Sequence, residues 1–205
     1  MDRMRRHGRS VAAAVALAAL VLLLVLPASA SAASTPLGKG KVVVRVDPFF
    51  VQLVLGGYPF YAVPPAATQF GIPTTPSLTL PITGGTWDRT NTRGTFLVKG
   101  GVDYIHYTTG PLTLHQLDVT AWHAKINPTA VWTAVANGTR IAAFDAGLTS
   151  ARMSFPTIGG HKFVKVSNVA LTYDAAFDTA FFNVFGVSLV TTTPFGTATL
   201  IARLK

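Results

Sequence analysis

The chain has 205 residues, 49% of them hydrophobic and only 12% charged, with a formal net charge of +9. It holds no Cys, which excludes disulfide staples, thiolate nucleophiles, thiolate metal sites and lipid attachment through an N-terminal Cys. All 8 acidic residues are Asp; the lack of Glu, with abundant Thr, Val, Gly and Phe, lowers helix propensity and favours strands joined by tight turns.

Arg3, Arg5, Arg6 and Arg9 precede an uninterrupted apolar run from Val11 to Leu26, and Pro27-Ala28-Ser29-Ala30 follows. A charged start, an apolar centre and small residues at Ala28 and Ala30 form the pattern of a secretory signal peptide over residues 1–30. The apolar run is shorter than the roughly 20 residues a membrane span needs, and a second small-residue cut lies after Ala33. Four of the 17 basic and one of the 8 acidic residues fall in this leader, so the remaining chain carries +6. Its cations are spread singly from Lys39 to Lys205, without the clustering of a nucleic-acid footprint. The expectation is an exported protein with no nucleic-acid partner, no stable membrane span once the leader is cut, and weak attraction to an anionic envelope polymer or membrane surface. Residues 31–41 (SAASTPLGKGK) read as a flexible leader, and 42–205 as a single domain.

The pattern along that domain predicts an all-β, mostly antiparallel β-sandwich with two short α-helices. Val42 to Val46 reads as a strand, and Asp47-Pro48 as the start of a short helix over 49–55 that ends at Gly56-Gly57. Five prolines between Tyr58 and Pro76 make that stretch a crossover loop or edge segment. Leu78, Leu80 and Ile82 alternate with polar neighbours, Gly84-Gly85 predicts a turn, and Gly94 to Val98 and Val102 to Tyr107 flank Gly100-Gly101 as a hairpin. Leu112 to Ile126 is a long strand whose apolar parity changes, predicting a bulge near His115 and Gln116. Asn137-Gly138 is the strongest hairpin signal, and as a two-residue loop it sets Trp132 opposite Ala143 and Val131 opposite Phe144. Lys162 to Tyr173 switches parity near Asn168, predicting another bulge. Asp174 caps a helix with Phe177, Phe181 and Val184 on one face, closed by Gly186, and Thr197 to Leu204 closes the sheet.

Candidate chemistry is sparse. His115 and His123 are about 26 Å apart along one strand, and no His pair has the spacing of a helical or finger metal site. A Thr109-Gly110 hairpin would place Tyr104 opposite His115, with His106 and Tyr107 beside them, so Tyr104, His106, Tyr107 and His115 form the candidate ligand-binding group. Ser188, in FGVSLV, lacks the second Gly of a nucleophile elbow. Paired carboxylates for glycoside hydrolysis would have to be Asp only, at positions such as Asp103 and Asp118, and Trp87, Trp122 and Trp132 are candidates for a sugar-stacking surface or for core. The reading is of a non-enzymatic module, with no catalytic residues and no metal site, that binds an unidentified envelope or extracellular ligand or serves a structural role there.

Four segments carry a resemblance: PITGGTWD (Pro81 to Asp88), GTFLVKGGV (Gly94 to Val102), LTYDAAFDTAFFNVFG (Leu171 to Gly186) and GTATL (Gly196 to Leu200). In this order the chain resembles a set of secreted, mainly actinobacterial-type β-domains of unsettled activity. More distantly it is similar to the Htaa-type heme-transport domain, through Gly-Gly-x-x-Asp at Gly84 to Asp88, the Gly94 to Gly100 spacing, a His-bearing strand, and Leu171-Thr172 before an aromatic helix. That resemblance implies a β-sandwich in an exported haemin-uptake protein, with heme as the cofactor and His106 matching the strand His. The family's early ligating Tyr would fall within Phe49 to Leu55, which has no Tyr.

Overall fold

Period-2 alternation becomes strand throughout the computed structural model, which describes residues 34–48, 60–71, 74–107, 114–126, 131–189 and 194–205. The strands are β1 Thr35–Val46, β2 Phe60–Val63, β3 Ala67–Gly71, β4 Thr74–Asp88, β5 Arg93–Val98, β6 Gly101–Tyr107, β7 Leu114–Ile126, β8 Val131–Ala136, β9 Thr139–Gly147, β10 Arg152–Ser154, β11 Thr157–Ile158, β12 His161–Tyr173 and β13 Pro194–Leu204. Among the described residues there is one helix, α1, Ala175–Phe185; the helix expected over 49–55 lies outside them. No described helix is long and apolar enough to cross a membrane.

All the pairings are antiparallel, and they form a circuit. β1 lies between β13 and β4, β13 lies beside β12, β12 beside β9, β9 beside β8, β8 beside β7, β7 beside β5, and β5 returns to β4. The expected all-β, antiparallel class therefore holds, with one difference. The two layers of the predicted sandwich are opposite walls of a single curled sheet, which leaves few free edges to protect. The inner wall positions, among them Val42, Val44, Leu78, Leu80, Val164, Val166, Leu200 and Ala202, are buried in one core. Removing such a side chain from water contributes about 1.5–3 kcal/mol for each residue of Val or Leu size.

Both Gly-Gly pairs in the middle of the chain do something other than reverse it. β4 runs unbroken through Gly84 and Gly85, with only a register shift between Ile82 and Gly84. Gly85 has φ +133°, and a Cβ there would sit 2.0 Å from the Thr95 carbonyl oxygen, so the residue permits close backbone approach. The predicted hairpin at Gly100-Gly101 is likewise absent. β5 and β6 lie end to end along one edge of β7, Leu97 opposite His123 and Gly101 opposite Thr120, while β8 takes the other edge. Gly100 (φ +87°) is where the turn at Ala66 comes close, since a Cβ would lie 2.5 Å from the Ala66 nitrogen.

Other expectations shift as well. Residues 35–41, read as flexible leader, belong to β1, because Leu37 is buried and the segment pairs with both β4 and β13. The described part of 58–76 includes edge strands, as expected: β2 pairs with β6 and β3 with β4. The bulge expected at His115 and Gln116 is not there, as the β6–β7 ladder is regular from Leu114 to Thr120; the irregularity falls between Thr120 and His123 on the β8 side. At β8–β9, Asn137 (φ 43°) and Gly138 (φ 83°) form the two-residue turn. A shift between Trp132 and Thr133 then sets Trp132 opposite Phe144, and Val131 opposite Asp145, one step away from the expected partners.

The bulge predicted near Asn168 is present: the register shifts between Val166 and Val169, and Asn168 takes φ 57°. It lets Val164 and Val166 before it, and Val169, Leu171 and Tyr173 after it, all face the core. Helix α1 starts as expected. The Asp174 carboxylate accepts from the Ala176 N–H at 2.7 Å, satisfying one of the first-turn donors. Gly186, in the left-handed region, closes it by donating to the Phe182 carbonyl at 2.7 Å. Phe177 and Phe181 turn inward and Val184 packs against the core edge.

Candidate functional site

β6 carries Tyr104 and His106 at alternate positions, so both belong to its inner row, and they differ in depth. Tyr104 is 1% exposed while His106, nearer the strand end, is half-buried. The Tyr104 hydroxyl lies 3.2 Å from that of Tyr173 in β12. Around this pair the rings of α1 close in: Phe177 and Phe181 meet Tyr104 edge-on at 5.9 and 5.7 Å, and Tyr173 stacks on Phe177 at 4.7 Å and on Phe144 at 5.1 Å. Edge-to-face and offset stacking are the arrangements that ring quadrupoles favour.

Burial pushes the Tyr104 phenol up to about 12, against the opposing effect of its bond to Tyr173. Burial also raises Tyr173, as does Tyr104 beside it. Both phenols are thus held neutral as part of the packing, and Tyr104 is a core residue. Tyr173 as its partner was not foreseen from sequence. Its inward parity is legible in β12, but its contact with a residue 69 positions away is not.

The ladder also corrects the expected neighbours. Tyr104 lies opposite Leu117, His106 opposite His115, and Tyr107 opposite Leu114. A two-residue loop at Thr109-Gly110 would make Thr108 and Pro111 the closing pair, which must exchange two hydrogen bonds, and Pro111 has no N–H to give. The ladder therefore brings His106 and His115 into register and sets Leu117, not His115, opposite Tyr104. The pairing puts Asp103 opposite Asp118.

Other candidates are placed elsewhere. The Ser188 hydroxyl donates to the Asp178 carboxylate at 2.9 Å, and the Leu189 N–H donates to the same group, so this serine pins the chain after α1 back onto the helix. Trp87 and Trp132 are buried in the core and offer no stacking surface. His161 is exposed at the β11–β12 turn and His123 lies opposite Leu97. Among the described residues no three His, Cys, Asp or Glu side chains form a group able to hold a metal ion. An open, mostly apolar groove of about 460 Å³ runs between α1 and the β8–β9 hairpin, past Ala136, Ile141, Ala176, Ala180 and Val184.

No protein-family model matches this chain, and no curated protein does. What the fold and the site define is a curled antiparallel β-domain closed by one aromatic helix. Among solved structures it is similar to the C-terminal domain of HtaA from Corynebacterium glutamicum, with TM-score 0.56 over 84% of this chain and 100% of that one, at 10% sequence identity. The distant resemblance carried by the glycine and aromatic segments is thus a likeness of fold.

Proposed function

We propose that this chain is an exported, non-catalytic binding module, that its contact edge is the His106 and His115 end of the β6–β7 ladder, and that haemin is its ligand. The observation that carries the reading is the direct pairing of His106 with His115, which sets two imidazole-bearing positions about 5 Å apart between Cβ atoms. Imidazole is an ordinary axial ligand of haem iron. Tyr104 does not fit that role, because a neutral phenol bonded to Tyr173 in the core supplies no phenolate. Tyr107, next to His106 in β6, is the remaining tyrosine of the group. The likeness to the HtaA domain supports the fold on which such an edge would be carried, and export rests on the leader pattern of residues 1–30.

Titrating the chain from Ser31 onward with haemin should give a saturable Soret shift. The shift should weaken at least about tenfold in His106→Ala and in His115→Ala, the usual scale for loss of a ligand or its support, and should persist in Tyr104→Phe. No saturable shift, or equal shifts in all variants, overturns haemin binding and leaves an envelope-associated structural role.

A further inference from the structure

The sequence scatters its cations singly, whereas the fold gathers them. β1, β13 and β12 are neighbours in the sheet and contain no acidic residue. Lys41 lies opposite Ile201, which lies opposite Lys165, so the two ammonium-bearing positions are two strand spacings, about 10 Å, apart on one face. Arg203 follows on β13, opposite Phe163. These positions lie away from the α1 end of the sheet, because α1 joins the far ends of β12 and β13.

At this same end Ile158, 51% exposed, precedes the Gly159-Gly160 turn, with Phe155, 39% exposed, three residues earlier and Lys162 opposite Thr157. Arg89, in the turn that follows β4, holds its guanidinium 4.7 Å over the Phe155 ring. The carboxylate on the neighbouring β4, Asp88, is already engaged. It accepts from the Asn91 side chain and from the Thr90 and Asn91 N–H groups, and it pairs with Arg93 at 3.5 Å. Among the described residues no carboxylate pairs with Lys162, Lys165, Arg89 or Arg203.

We infer that this end of the domain docks on the surface of an anionic phospholipid bilayer. Ile158 and Phe155 enter the interfacial layer, and Arg89, Lys162, Lys165 and Arg203 meet the lipid phosphates. Cations alone would suit any polyanion, but exposed Ile and Phe at the tip of a basic surface gain free energy only where an apolar layer lies beneath the charges. The inference is independent of the haemin reading, which concerns the β6–β7 ladder.

The test is sedimentation with vesicles, using the chain from Ser31, whose strand circuit closes within Ser34–Lys205; the apolar run of residues 11–26 would itself partition into lipid. Binding to phosphatidylcholine vesicles should rise about tenfold or more when about 30% phosphatidylglycerol is included, and should fall with added salt. Ile158→Asp and the pair Lys162→Glu with Arg203→Glu should each reduce it about fivefold or more, while Phe182→Asp, exposed on α1, should not. Circular dichroism checks that each variant is folded. Equal binding to neutral and anionic vesicles overturns the inference, as does undiminished binding by Ile158→Asp. So does binding of soluble polyphosphate as tight as that of vesicles and indifferent to Ile158, which would assign the face to a soluble polyanion.

Discussion

Replacing Phe177 by Ala removes the ring at the centre of the aromatic cluster. Phe177 is 0% exposed, and its centroid lies 4.7 Å from Tyr173, 5.9 Å from Tyr104, 6.1 Å from Phe144 and 6.3 Å from Phe181. A buried Phe→Ala change costs about 3–5 kcal/mol. The upper half of that range is expected here, because the lost ring touches β6, β9 and β12 as well as its own helix, and rigid neighbours on three strands cannot collapse into the space. Against a domain stability of about 5–15 kcal/mol, a loss of about 4 kcal/mol is a quarter or more of the whole. At about 2–4 °C per kcal/mol for a chain of this size, Tm should fall by about 8–16 °C. Phe182→Ala is the control, with the same residue type on the same helix but facing outward, and should change stability by less than about 0.5 kcal/mol. Urea unfolding followed by circular dichroism and Trp fluorescence measures both. Equal losses in the two variants, or a loss below about 1 kcal/mol in Phe177→Ala, would refute the packing of α1 into the sheet.

Two further outcomes follow from local geometry. Because burial raises the Tyr104 phenol from 10.0 to about 12, the folded state resists its ionisation. The contribution of this phenol to stability should be constant below pH 10 and should fall by up to about 3 kcal/mol as pH rises from about 10 to about 12, since each tenfold difference in acidity between the folded and unfolded phenol is worth about 1.4 kcal/mol. Ultraviolet difference absorbance should then show Tyr104 and Tyr173 ionising only well above pH 10 while the protein stays folded; all 5 tyrosines titrating together near pH 10 in a folded protein would contradict this. Gly85→Ala forces a Cβ to within 2.0 Å of the Thr95 carbonyl oxygen at φ +133° and should cost at least about 3 kcal/mol. Gly138→Ala, with open space around it, should cost only the left-handed backbone penalty of about 1–2 kcal/mol; comparable losses in urea midpoints would show that close approach at Gly85 is not what its lack of a side chain serves.

Features governed by neighbours in the chain were legible in the residues. The α1 cap at Asp174 and its Gly186 end, the Asn137-Gly138 turn and the bulge at Asn168 all appear where short-range rules place them. The glycine pairs were ambiguous for a physical reason: the missing Cβ serves equally for reversing a chain and for admitting another backbone, and nothing nearby in sequence says which. At Gly84-Gly85 and Gly100-Gly101 the second use prevails, since β5 at Thr95 presses against Gly85 and the turn at Ala66 against Gly100. In the candidate site, Tyr104 and His106 share a strand parity, which alternation reveals. That one is sealed under Phe177 and Phe181 while the other lies at the rim depends on where α1 packs.

The sequence by itself therefore determined the antiparallel β class, the leader pattern, the position of α1, the total charge and which face of β12 is apolar, because each depends on residue type and on contacts within a few positions. Tertiary structure alone decided that the sheet closes on itself, that β5 and β6 form one continuous edge, that Tyr104 meets Tyr173, that His106 lies opposite His115 in the ladder, and that dispersed cations share a face. Those outcomes turn on register between strands far apart in the chain. Register is set by the fit of the whole core and by constraints such as the missing N–H of Pro111, and a shift of one or two residues in a ladder exchanges every neighbour along it.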